Sequence, residues 1–272
     1  MSRDRHDQRH RPGYRLLDSD EGKVFPNFAV TVDGAVITIR NNSPHVLLAK
    51  RAKDPFGGEW SLPGGFKRPG ESLDEAITRQ LLEKVGVDIS DAWVRQLKAY
   101  GHPHRDPRPN VVTVVFVVLI ADLTGFSPGR DVTDLELVDL AEAASGLPPT
   151  AFDHAAILED VREYLGRQLE HEPLLPAMLG DETTLVTIRS VYEKLWDQPV
   201  DQANLRRALV PQFLESRQNS EDGSTVAFSR NSEQSTDAQN SPGRPATIWR
   251  LTSEWQKQVP PIRRPRRRPP TD

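Results

Sequence analysis

The chain has 272 residues, 36% of them hydrophobic, with 23 prolines, no cysteine and a formal net charge of −4. That length suits two domains of ordinary size, diluted by polar segments that cannot build a core. Disulfides and thiol catalysis are excluded, no stretch has signal-peptide form, and the longest apolar run falls far short of the ~20 residues of a membrane-spanning helix.

Residues 1–22 are polar and charged and are expected to form a disordered tail. From residue 23 to 152 the pattern is that of an α/β sandwich with a mixed sheet. Phe28–Asp33 and Ala35–Ile39 are β-rich runs around Asp33-Gly34, which predicts a hairpin there. His45–Arg51 predicts another strand, Val111–Ile120 a central one, and Leu135–Leu140 one more.

Between them, Gly65–Val87 reads GFKRPGESLDEAITRQLLEKVGV. Ser72 is placed as a helix N-cap, Glu75 completes a capping box, and Gly86 suits the C-terminal stop. Leu73, Ala76, Ile77, Leu81 and Val85 form the buried stripe. Gln80, Glu83 and Lys84 then share one face. The segment resembles the Nudix box, G-x5-E-x7-R-E-U-x-E-E-x-G-U with U apolar. Gly65, Glu71, Arg79, Leu81, Glu83, Gly86 and Val87 fall on the pattern, but Gln80 and Lys84 stand where it has carboxylates.

In Nudix hydrolases that face holds divalent metal against a pyrophosphate. Mg2+ wants carboxylate oxygens, and the metal polarises phosphoryl oxygens and activates water. Here one carboxylate, one amide and one ammonium take the local charge from about −3 to about 0. Gln80 cannot act as a general base, and an ammonium at Lys84 repels Mg2+ but attracts a diphosphate. The expectation is a pocket that binds without cutting, with no catalytic residue, no metal and no cofactor. The competing reading makes Gln80 and Lys84 ordinary solvated residues, with activity carried by Glu71, Glu75 and Glu83.

From Asp153 to residue 252 the pattern changes. Asp153 is placed as the cap of a long helix with Ile157, Leu158, Val161, Tyr164, Leu165 and Leu169 along one stripe. The domain junction is expected at or within it. Thr183 or Thr184 starts a second helix, and Asp201 a third that Pro211 keeps short. Helix, turn, short helix and hairpin make a winged helix-turn-helix. On the third helix Leu205, Ala208 and Leu209 face inward, while Asn204, Arg206 and Arg207 are placed to read bases and hold phosphates. Arg244 is placed in the wing. Residues 217–242 form a long polar wing loop, and residues 253–272 a basic Pro-rich tail expected to be disordered.

From Val200 onward 12 Lys and Arg face 8 Asp and Glu, against 23 and 31 before it. That asymmetry points to a polyanionic partner for the C-terminal part. A helical dimerisation module with two solvated arginines is the competing reading. The terminal Arg run adds nonspecific phosphate affinity or is a solvated tail.

Taken together, the chain resembles the NrtR family, bacterial Nudix-related transcriptional regulators of NAD biosynthesis. The carrying segments are Ala49-Lys-Arg, Pro55–Phe66, Arg105-Asp-Pro-Arg, Ala151–Leu158, Val191–Leu195, Asn204-Leu-Arg-Arg and Gly243-Arg-Pro-Ala. The resemblance implies a cytoplasmic homodimer that binds double-stranded operator DNA and is released by ADP-ribose or a related nucleotide. It makes Arg51, Trp60, Arg105 and Asp106 pocket residues. Arg51, Arg105 and Lys84 are suited to a diphosphate, and Trp60 or Phe66 to an adenine ring. Two plainer alternatives stand beside these: sheet packing for Trp60, and a structural salt bridge between Arg105 and Asp106. The effector is expected to reorient the long helix from about Asp153 to His171.

Overall fold

The computed structural model describes residues 28–108, 110–216 and 247–265, and the strands at 14–16 and 24–26. Strand β1 (Tyr14–Leu16) pairs antiparallel with β2 (Val24–Pro26), within and beside the stretch expected to be disordered.

The main sheet is built from β3 (Ala29–Arg40), β4 (Ser43–Arg51), β5 (Trp60–Ser61), β6 (Gly64–Phe66), β7 (Trp93–Tyr100), β8 (Val111–Leu119) and β9 (Val132–Asp139). Its order is β5-β4-β3-β8-β7, with β6 beside β3 and β9 beside β4. Strands β3 and β8 run parallel and every other pair antiparallel, so the sheet is mixed as expected.

The hairpin expected at Asp33-Gly34 does not form there. Strand β3 runs unbroken through both residues, and the turn falls at Asn41-Asn42, with φ of 49° and 61°. Two consecutive positive φ values suit a tight two-residue hairpin loop, and Asn tolerates them. Gly34 has a different task. A Cβ there would lie 3.0 Å from Leu81 Cδ2 and 3.2 Å from Ile77 Cδ1, so glycine lets helix α1 (Leu73–Val85) close onto the sheet.

Alternation along the strands divides the apolar residues between two faces. Val32, Val36, Leu47 and Ala49 pack against α1 through Ile77, Leu81 and Val85. Ala35, Ile37, Val46 and Leu48 face the other way. They enter one continuous core with α2 (Leu140–Ala144), α3 (His154–Gln168), α4 (Leu175–Leu179), α5 (Leu185–Trp196) and α6 (Gln202–Leu209). The junction expected at the long helix is therefore packed from both sides: Ile157, Val161 and Leu165 of α3 share this core with Ile188, Trp196, Leu205 and Leu209.

Beyond α4, β10 (Glu182–Thr184), β11 (Leu214–Ser216) and β12 (Ile248–Leu251) form an antiparallel sheet in the order β10-β12-β11. With α5 and α6 this is the winged helix-turn-helix. The wing loop 217–242 and Arg244 lie outside the described residues.

The tail expected to be disordered from residue 253 is ordered over its first part. Trp255 is buried, its Nε1 donates to Phe213 O at 2.9 Å, and Ile262 is buried too. Arg264 donates to Trp196 O at 2.8 Å and its backbone N–H to Glu170 at 2.9 Å. Two apolar anchors in a polar text were enough to fix the segment. Among the described residues no helix is long and apolar enough to cross a membrane.

Candidate functional site

Helix α1 begins as its sequence dictates. Ser72 accepts from the Glu75 N–H at 3.1 Å, Glu75 accepts from the Ser72 N–H at 2.6 Å, and Gly86 ends the helix. Arg79 does not pair with Glu75, which the cap already holds. Its guanidinium grips Glu71 at 2.5 and 2.9 Å, Phe66 O at 3.1 Å and Glu83 at 3.6 Å. The Arg79 hydrogen bonds pull the Glu71 carboxyl down to about 2. Glu83 also takes Arg68 at 3.1 Å, and Lys84 pairs with Asp131 at 3.4 Å.

Gln80 is only 5% exposed. Its Nε2 donates to Phe66 O at 3.1 Å, and its Oε1 is buried without a hydrogen-bond partner. A Cβ on Gly65 would come within 2.7 Å of that amide, so glycine lets the loop lie directly on it. Among the described residues no three His, Asp or Glu side chains converge as a metal-ligand set.

Gln80, Glu83 and Lys84 form one wall of a pocket of about 380 Å³, the size of a small-molecule site. Nine Lys and Arg side chains and five Asp and Glu line it among the described residues. A partly enclosed excess of cations selects an anion.

Arg51, Arg105 and Arg108, which also line the pocket, gather around Phe152, at 4.9, 5.9 and 5.8 Å from the ring centroid. Arg51 donates to Pro55 O at 2.8 Å. Burial, then the repelling charge of Arg108, pulls its pKa below the usual arginine value. Arg105 and Asp106 do not pair with each other. Arg105 takes Asp153 at 2.7 and 3.1 Å, and Asp106 takes Arg108 at 2.6 and 2.9 Å. Burial raises the Asp106 pKa, but the Arg108 hydrogen bonds outweigh it and hold the carboxyl below its ordinary value.

Beneath them, buried His154 accepts the Leu62 N–H on Nδ1 at 2.9 Å, so its proton sits on Nε2, 4.0 Å from Asp33. Burial lowers its pKa and keeps it neutral. The hydrogen bond that Asp33 accepts comes from Thr113 Oγ1, at 2.5 Å.

Of the residues expected here, Arg51, Phe66, Lys84, Arg105 and Asp106 line the pocket. Phe66 is 44% exposed, with Arg108 at 4.9 Å from its ring. Trp60 is not among the lining residues. In the two-residue strand β5, Ser61 faces the pocket and Trp60 packs against the core on the other side. Strand alternation decides this, and its sheet-packing alternative is the one that holds. Arg108, Phe152, His154, Asp33 and Asp131 line the pocket too, and nothing in their spacing places them there. The first three sat in Arg105-Asp-Pro-Arg and Ala151-Phe-Asp-His, the segments that carry the resemblance.

At the far side of the shared core, Asp201 caps α6 by accepting from the Asn204 N–H at 2.7 Å. Leu205 and Leu209 are buried, while Asn204, Arg206 and Arg207 are exposed on the outer face. Arg207 hydrogen-bonds Asn204, and Arg206 lies 5.6 Å from the Trp249 ring. These cations stand on a short helix seated by apolar residues, the arrangement of a recognition helix.

The Nudix domain profile matches residues 30–161. The chain is 34% identical over 145 residues to the ADP-ribose pyrophosphatase of Methanocaldococcus jannaschii, covering 53% of this chain and 78% of that protein. The chain belongs to the Nudix family. Within it, the resemblance that runs through both halves is to NrtR-type regulators. Over 188 residues it is 27% identical to the ADPR responsive transcriptional repressor NtrR of Acinetobacter baylyi, covering 68% of this chain and 74% of that one. Shewanella oneidensis NrtR, crystallised with a 27mer DNA, matches at a TM-score of 0.60 and 26% identity over 84% of this chain and 95% of that chain.

Proposed function

We propose that the chain is a transcriptional repressor whose Nudix pocket binds ADP-ribose or a related nucleotide without cleaving it, and whose winged helix binds duplex operator DNA. Its targets are genes of NAD biosynthesis or salvage, and it acts as a homodimer whose two α6 helices meet successive half-sites. The observation that carries this reading is the single core joining the cation-lined pocket to α6. A ligand shifts DNA affinity only through a difference in how it binds two states, and a shared core gives such a difference a route.

Divalent metal does not fit the wall that would hold it. Gln80 is neutral and turned to Phe66 O, Lys84 is a cation against Asp131, and Glu83 is held by Arg68 and Arg79. A diphosphate fits the same pocket through Arg51, Arg105, Arg108 and Lys84. Phe66 and Phe152 offer flat apolar surface for a base.

The experiment is to select duplexes from a random-sequence pool with the full chain, then titrate ADP-ribose into the complex. The expected result is a loss of affinity of ~5–150-fold, a coupling of ~1–3 kcal/mol. Selection of no duplex, or affinity unchanged within twofold at saturation, rejects the proposal. The second reading, an active pyrophosphatase with an accessory domain, draws on the 34% identity to the M. jannaschii enzyme. Release of AMP in the presence of Mg2+ would favour it.

A further inference from the structure

Helix α3 starts with an acidic cap that it does not use. Asp153 holds the N-cap position, yet its carboxylate bonds no helix amide. An Asp there ordinarily accepts from the second or third helical N–H, in this helix Ala155 or Ala156. Both oxygens accept instead from Arg105, Nη2 to Oδ1 at 2.7 Å and Nε to Oδ2 at 3.1 Å. The Arg105 side chain is 3% exposed and lines the anion pocket. The start of α3 and any anion in the pocket therefore address the same guanidinium fork.

The other end of α3 is tied to the DNA-facing half. Trp196 Nε1 at the end of α5 donates to Gly166 O at 2.7 Å. Leu165 shares its core with Leu205 and Leu209 of α6. One rigid element runs from the pocket wall to the helix-turn-helix.

We propose that Asp153 stands in for the effector's anion: a diphosphate in the pocket takes over the fork of Arg105, and Asp153, whose backbone stands at φ −98° and ψ 21°, swings to the extended conformation from which its freed carboxylate caps α3. The inference rests on the effector reading above and assigns its regulation to one ion pair. Arg105 keeps an anionic partner in both states. Asp153 passes from a guanidinium to the amides at the positive end of the helix dipole, a second favourable site for a carboxylate. Neither charge is left buried and alone, so the exchange has two discrete, satisfied arrangements.

The test is amide hydrogen exchange over residues 154–157 of the full chain, with and without ADP-ribose at a saturation verified by calorimetry. In the wild type, exchange there slows about fivefold on binding, the factor matching one Asp cap. Asp153→Asn weakens the pair with Arg105 but retains a good cap. Its amides are slow without ADP-ribose and unchanged with it. Asp153→Ala exchanges fast in both states. If it does not fold, the wild type and Asp153→Asn decide. Unchanged wild-type exchange with ADP-ribose bound, or Asp153→Asn responding as the wild type does, overturns the proposal and leaves the effector reading standing. Absence of any ADP-ribose binding heat from the wild type removes both.

Discussion

Ser72 caps α1 and is capped in return by Glu75, whereas Asp153 stands at the same position of α3 and gives both oxygens to Arg105. The local rule is obeyed where the helix start has no competing claim on its cap. It is set aside where a pocket guanidinium draws the carboxylate away. Departures from local consistency tend to mark functional positions. The same contrast runs through the acids of the box: Glu75 serves the fold, while Glu71 and Glu83 are occupied by Arg79 and Arg68.

The largest effect expected from breaking that contrast is at Arg105. Arg105→Ala removes the guanidinium that Asp153 and the effector are proposed to share, so ADP-ribose affinity should fall at least about tenfold, while urea stability falls by only about 1 kcal/mol because the freed Asp153 can cap α3. Unchanged affinity would place the diphosphate elsewhere. Next, Arg206→Ala with Arg207→Ala should weaken duplex binding and reduce the salt slope by about 2. An unchanged slope would mean that α6 does not hold phosphates. Third, Gln80→Glu with Lys84→Glu sets a carboxylate against Phe66 O. The variant should melt below the wild type without Mg2+ and recover as Mg2+ is added, and a flat titration would count against the assignment of that wall. Fourth, Ser72→Ala should cost about 1 kcal/mol, read as a small drop in melting temperature.

The last effect is one of pH. His154 is held neutral by burial, below the ordinary histidine value of 6.5. The unfolded chain therefore binds a proton that the folded chain refuses. The His154 contribution is full above about 6.5 and is lost as pH falls from there toward the folded value. Melting temperature should decline over that window. His154→Asn, which can still accept the Leu62 N–H, should flatten the decline.

Much of this was legible in the sequence. The caps at Ser72, Thr184 and Asp201 act within three residues, so local text was sufficient. Asp33-Gly34 misled because the need for glycine came from Leu81 and Ile77 in space, not from a turn. Strand β7 leaves no clear apolar pattern in the sequence because it is an edge strand carrying Arg95, Gln96 and Lys98, with its residues half-buried or exposed. In the site, residue types at Arg51, Lys84 and Arg105 pointed to an anion, but partners did not follow from spacing. Arg105 reaches Asp153 across 48 residues rather than its neighbour Asp106, and Trp60 is turned from the pocket by strand alternation.

The central claim is that a box whose Glu71 and Glu83 are held by arginines, and whose other two metal-facing positions are an amide and an ammonium, grips a nucleotide and leaves it whole. Incubating the full chain with an equimolar amount of ADP-ribose and excess Mg2+, then separating bound from free and identifying both, tests it directly. The account predicts one intact ADP-ribose per pocket and no AMP. AMP and ribose phosphate accumulating through many turnovers would contradict it.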